Sequence, residues 1–432
     1  MKPRKLVFDL LQRLEKNDQF SNISLDKALE GSGMSAEDKR LASVLLYGVT
    51  ERRLTLDYQI SLLSDRPLKA IAPTALCAIR IGLYQLIYMD RIPPHAAINE
   101  SVSLVSRKLS GFVNAILRSF TRGEGVRYPS RDSSFTDYLS VRYSVCIPLC
   151  EKLIGAYGEE RAESILSGFE RIPDTTLSVN TLKISREALA ARIDGAVVTD
   201  ISPRGLRVKG AVRELYGYSE GLFFVQDEAS QICVEALGAM EGETLLDICA
   251  CPGSKSFGAA ISMNNKGQIR SFDLHSKKLS LIVSGAERLG INIISVAERD
   301  GRSFLPELEG AADRVLCDVP CSGFGVLSKK PELRYKDPKV SETLPDIQLA
   351  ILENASKYVK KGGTLVYSTC TIFPEENEAN IKRFLALHKE FSPVPFTVGE
   401  LSAPEGYITL LPDTHPTDGF FIAKLQRIQN KA

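Results

Sequence analysis

Two cysteines stand where a thiol could do covalent chemistry. The stretch Arg314–Val326 closes an apolar, β-branched run on Asp318, and Pro320, Cys321, Gly323 and Gly325 follow at once. Prolines and glycines interrupt strands, so a carboxylate and a thiol are presented together at a strand end, the place where open α/β sheets bind ligands. This pairing first nominates Cys321 as a nucleophile. Cys370 follows the next strand, in Tyr367–Thr371, and neighbouring parallel strands can bring such ends to one pocket. Spacing alone does not rank the two thiols. The competing reading is packing, because free cysteines are mostly small buried hydrophobes. A thiol attacks as its thiolate, and an ordinary pKa near ~8.5 leaves little of it ionised at neutral pH without help from its site.

A second candidate site is the segment Leu246–Ser256, a strand running into a tight turn and a helix. Small residues there let a ligand approach the backbone, and the helix start offers free N–H groups. Asp273 ends the following strand and is suited to a ribose hydroxyl pair. Asp300, after the third strand, can accept a bond from an adenine amino group. A phosphate-binding P-loop would require glycine at positions 249 and 254, which are Cys249 and Ser254, and a dinucleotide loop would require more glycine than Gly253. S-adenosylmethionine, which carries no phosphate, suits this loop best.

These sites need elements to hold them. From Leu222 onward strands are expected at Thr244–Ile248, Gln268–Phe272, Ile293–Val296, Arg314–Cys317 and Thr364–Tyr367, with helices around Ser276–Leu289, Ile347–Val359 and Glu376–His388. That alternation predicts a doubly wound α/β domain over 222–432. Residues 1–130 carry helix stripes throughout, such as Leu6, Val7, Leu10, Leu11 and Leu14, and predict an all-α domain ending near a linker-like stretch at Tyr128–Ser134. Between them, 137–221 predicts a small α+β unit. It has a helix capped by Ser185, a strand at Leu206–Val208 and a basic surface from Lys183, Arg204, Arg207 and Lys209.

Composition sets the outer bounds. A chain of 432 residues, 44% hydrophobic and 25% charged, is that of a multidomain globular protein. The apolar run Ala70–Met89 has the length of a membrane span, but Pro73, Arg80 and Gln85 interrupt it, which predicts a buried helix. Nine cysteines form no disulfide-like pattern, and Cys249/Cys251 and Cys317/Cys321 lack zinc-knuckle spacing, so reduced thiols, no metal and a cytoplasmic location are expected. The net charge of +1 hides an asymmetry: residues 1–130 hold 19 Lys and Arg against 13 Asp and Glu. Arg107, Lys108, Arg118 and Arg122 cluster there and could neutralise phosphates, although a charge run is more often a solvated helix face.

Several ordered motifs carry a family resemblance. Asp247–Ser256, Asp318–Gly323, Gln348–Leu352, Tyr367–Thr371 and Pro374–Glu378 resemble those of the RNA cytosine-C5 methyltransferases. The N-terminal region, including Gly111–Arg118, resembles the NusB-like RNA-binding domain. The resemblance spans nearly the whole chain and implies a NusB-like helical domain, a small α+β RNA-recognition domain and a Rossmann-like methyltransferase domain dependent on S-adenosylmethionine. It implies methylation of C5 of a cytosine in 16S ribosomal RNA, and a monomer is expected. The rivals are methylation of transfer RNA by a related enzyme and a non-catalytic RNA-binding assembly factor. By position, Cys249, Ala250, Cys251, Pro252, Gly253, Ser254, Lys255, Asp273, Asp300 and Asp318 would form the cofactor site. The resemblance assigns attack on cytosine C6 to Cys370 and product release to Cys321, with Asp318 between base and cofactor. The chain departs from the family twice. Ser254 replaces a usual glycine and is expected to be strained if its φ is positive, and Phe324 replaces a smaller residue and is expected to narrow the pocket.

Overall fold

The structure, a computed structural model, describes residues 2–17, 28–29, 32–171 and 174–428. Their contacts form two units, residues 1–166 with 330–337, and 167–329 with 338–432.

The first unit is helical. Its main helices are Pro3–Asn17, Ala36–Glu51, Arg53–Leu63, Pro73–Tyr88, Pro94–Val102, Arg107–Thr121, Phe135–Tyr143 and Ile147–Tyr157. Prolines in the first turn start Pro73–Tyr88 and Pro94–Val102 where a missing N–H costs nothing, and Ser35 and Ser134 cap their helices through Asp38 N and Asp137 N. The expected stripes close one core, with Val7, Leu45, Leu56, Ile60, Ile79, Leu83 and Leu117 fully enclosed. The apolar run over Ala70–Met89 is a buried helix, and Arg80 enters it by pairing with Asp57 and Glu15. No helix among the described residues is long and apolar enough to cross a membrane. Residues 330–337, which follow the second unit's Lys329, pack within this one. Arg334 is fully buried and donates to the Tyr143 carbonyl (2.9 Å) and Glu51 (3.2 Å), and the Tyr335 hydroxyl donates to the Thr50 carbonyl (2.6 Å).

The second unit begins with a four-stranded antiparallel sheet of order β2-β3-β1-β4, formed by β1 (Thr175–Val179), β2 (Val197–Val198), β3 (Gly205–Val208) and β4 (Phe223–Val225). Leu177, Val179, Leu189, Leu206 and Phe223 fill its core. Arg204 is not part of a basic surface as expected. It is buried, donating to Glu235 (2.6 Å) and the Gly258 carbonyl (2.8 Å).

The large sheet contains β5 (Thr244–Asp247), β6 (Gln268–Asp273), β7 (Ile294–Glu298), β8 (Ala312–Asp318), β9 (Val359–Thr369), β10 (Phe391–Pro393), β13 (Tyr407–Leu410) and β14 (Phe420–Arg427), while β11 (Phe396–Val398) and β12 (Leu401–Ala403) pair separately. Its order is β10-β14-β9-β8-β5-β6-β7, with β13 beside β14. The five strands from β7 to β9 are parallel, as expected, and β14 runs antiparallel to β9 with Phe421 opposite Thr369. The strand order reverses around β5, so the carboxyl ends of β5, β6, β8 and β9 open on one crevice.

Candidate active site

Both thiols reach that crevice. Cys321 follows β8, Cys370 follows β9, and their Sγ atoms lie 3.2 Å apart and unbonded. The Cys370 N–H also donates to Cys321 Sγ (3.3 Å). Contact with Cys370, then burial, then the charges of Glu376 and Asp318 hold the Cys321 pKa well above its usual value.

Asp318 lies at the same strand end. Its Oδ2 is 2.5 Å from Lys255 Nζ and its Oδ1 accepts from Ser368 Oγ (2.8 Å). Burial works against charge on Lys255, but Asp318, Cys233 and Asp247 together outweigh it and the lysine pKa is raised. Lys255 is not a surface helix-start residue, being 7% exposed with its ammonium 5.2 Å from the Phe420 ring centre. Ser368 and Phe420 escape sequence reasoning, although Ser368 lies inside the Tyr367–Thr371 motif.

The cofactor loop joins β5 to the helix Ser254–Ser262. Gly253 adopts a φ of 108°, and a Cβ there would lie 2.7 Å from Phe257 Cζ, so only glycine fits. Asp273 holds the loop, accepting from Cys251 N (3.1 Å) and His275 N (3.0 Å). Asp247 is wholly buried and accepts from Ser256 Oγ (2.6 Å), and burial pushes its carboxyl up to about 7. The donor set fits S-adenosylmethionine. Carboxylates surround the loop, and its one lysine is committed to Asp318, leaving the loop no cation for a phosphate chain.

Comparisons with known proteins place the chain in a family. Residues 234–426 match the family described as 16S rRNA methyltransferase RsmB/F, and residues 1–122 match the NusB family. The chain is 36% identical to the probable ribosomal RNA small subunit methyltransferase B of Synechocystis sp., covering 98% of this chain and 99% of that one. It is equally similar to the Bacillus subtilis protein of that description, covering 98% of each. The chain belongs to the ribosomal RNA small subunit methyltransferase B family. A solved structure, PH0851, superposes on the methyltransferase with a TM-score of 0.80 at 26% identity over 99% of both chains. A methyltransferase homologue from Pyrococcus horikoshii does so at 0.59 and 27% identity, over 68% of this chain and 99% of that one.

One departure of this methyltransferase from its family, Ser254, reads differently in three dimensions. Ser254 is the first residue of its helix, and the left-handed position is taken by Gly253, so Ser254 carries no φ strain. Phe324 is 1% exposed and packs edge-on against Phe373, ring centres 5.5 Å apart. Asp300 is clasped by Arg302, whose guanidinium bonds both carboxylate oxygens and holds the acid below its usual pKa. Among the described residues no cluster of His, Cys, Asp and Glu could hold a metal ion. Arg107, Lys108, Arg118 and Arg122 are all exposed on or just after the helix Arg107–Thr121.

Proposed function

We propose that this ribosomal RNA methyltransferase modifies C5 of a cytosine in 16S RNA through a covalent adduct on Cys370. The observation that carries the reading is the pair of thiols 3.2 Å apart beside Asp318 at the ends of adjacent parallel strands. The methyl donor is S-adenosylmethionine, which when bound supplies an electrophilic methyl group. Cys249 to Lys255, Asp273, Asp300 and Asp318 would hold it.

Cytosine C5 is too weak a nucleophile unaided. Addition of the Cys370 thiolate to C6 makes C5 enamine-like and lets it accept the methyl group. Loss of the C5 proton to a base then restores the 5,6 double bond and expels Cys370 as thiolate, with Cys321 assisting release. As the Cys370 sulfur adds to C6 its thiol proton would pass to cytosine N3, and Asp318, its carboxylate oriented by Lys255 and Ser368, would accept a hydrogen bond from that N3–H. In this reading 1–130 and 137–221 grip RNA, with Arg107, Lys108, Arg118 and Arg122 on phosphates, and 222–432 does the chemistry. Labelled methyl transfer to unmodified 16S RNA should vanish in Cys370→Ala, and the product nucleoside should be 5-methylcytosine. Full activity in that variant would remove Cys370 as nucleophile.

A further inference from the structure

Neither cysteine loop is held by its own strand alone. Beneath them lies a buried polar network from the turn Pro374–Glu376, Asn377 and the helix Leu344–Ser356. Glu376 is 2% exposed, and its Oε2 accepts from Ser322 N (2.9 Å) and from Gln348 Nε2 (2.8 Å). Gln348 Nε2 donates also to the Pro320 carbonyl (3.0 Å). The backbone on both sides of Cys321 is thereby tied to one carboxylate–amide pair. Asn377 does the same for Cys370: its Oδ1 accepts from Thr369 Oγ1 (2.6 Å) and its Nδ2 donates to the Thr371 carbonyl (3.0 Å). A bond from Ser322 Oγ to Thr371 Oγ1 (2.8 Å) joins the two loops directly.

We propose that Glu376 and Asn377 are positioning residues which, from adjacent places in the chain, each fix one thiol and together set the spacing between Cys321 and Cys370. This rests on the reading that Cys370 attacks and Cys321 assists release. A buried carboxylate is a costly way to hold a backbone amide if packing were its sole purpose, since its charge must be satisfied by every donor around it. Here both of its donors serve the Cys321 loop. Release requires the C5 proton to leave, the double bond to re-form and the C6–sulfur bond to break within one geometry. A loosened Cys321 loop should slow that step while leaving RNA binding alone.

The test uses the full-length protein, unmodified 16S RNA and S-adenosylmethionine, and follows methyl transfer together with denaturant-stable protein–RNA adduct. Glu376→Gln should lower kcat about tenfold, the worth of roughly one charge-assisted hydrogen bond, with KM for RNA nearly unchanged and adduct increased. Asn377→Asp, which loses the donor to Thr371, should instead slow adduct formation when placed in a Cys321→Ala background. It decides the matter if Glu376→Gln does not fold. Cys321→Ala alone is the reference and should accumulate adduct. If it does so while folded Glu376→Gln and Asn377→Asp keep wild-type adduct levels and rates, the positioning role is overturned by itself. Absence of adduct in Cys321→Ala overturns the covalent reading and this proposal together.

Discussion

Lys255 Nζ lies 2.5 Å from Asp318 Oδ2, joining the cofactor loop after β5 to the strand end after β8 through a single ion pair. The lysine is nearly enclosed and the aspartate less so. Removing one partner should therefore cost more than removing both. Asp318→Asn leaves a buried ammonium uncompensated and is expected to lose about 3 kcal/mol of stability, with Lys255→Met/Asp318→Asn losing less than the two single variants combined. Urea unfolding of the four proteins measures the coupling, and strict additivity would show that the pair does not matter to the fold.

Asp247 makes stability depend on pH in an unusual direction. Burial raises its folded pKa to about 7, whereas an unfolded aspartate titrates near ~3.9. Between these values the folded state keeps a proton that the unfolded chain has lost, so this group favours folding at low pH and progressively less as pH rises to about 7. Asp247→Asn cannot ionise. Its stability relative to the wild type should climb across that window by at most ~1.4 kcal/mol per pH unit and level off above it. A difference independent of pH would rule this out.

The loop glycine and its neighbour should respond differently. Gly253→Ala places a methyl against the Phe257 ring at a φ of 108°, and it is expected to weaken binding of S-adenosylhomocysteine about tenfold or more. Ser254→Gly relieves no strain and should leave affinity within about threefold, since the added backbone freedom is worth less than ~1 kcal/mol. Titration calorimetry with both variants separates the outcomes. Tighter binding by Ser254→Gly would restore the strain expected from sequence.

Salt dependence tests the helical unit. Exchanging Arg107, Lys108, Arg118 and Arg122 for glutamine should flatten the slope of log affinity against log salt by up to ~0.7–0.9 for each phosphate no longer neutralised. An unchanged slope would return these residues to an ordinary solvated helix face.

Much of the fold is legible from residue order because its signals are local. The parallel strands announce themselves as short apolar runs ending in Asp247, Asp273 and Asp318, and the helical unit by its apolar stripes. What escapes depends on three dimensions. The antiparallel strands β10, β13 and β14 lie beyond His388 in short segments around Pro412 and Gly419, and β14 becomes readable only once it pairs with β9. Arg204 reads as surface because a basic residue in a turn beside a short strand usually is, whereas the acid that admits it, Glu235, is 31 positions away. Strain is expected at Ser254 because a motif position does not reveal which of two adjacent residues takes the left-handed turn.

The buried Arg334 and half-buried Tyr335 bear on how the chain can be divided. They belong to the helical unit by packing but arrive only after Lys329, between Cys321 and Gln348 in the chain. Cutting the gene after Leu166 would yield a protein lacking the guanidinium that meets Glu51 and the Tyr143 carbonyl and the ring that lies under Arg53. The helical unit is thus discontinuous in sequence, and its complete core exists only after most of the polypeptide has left the ribosome.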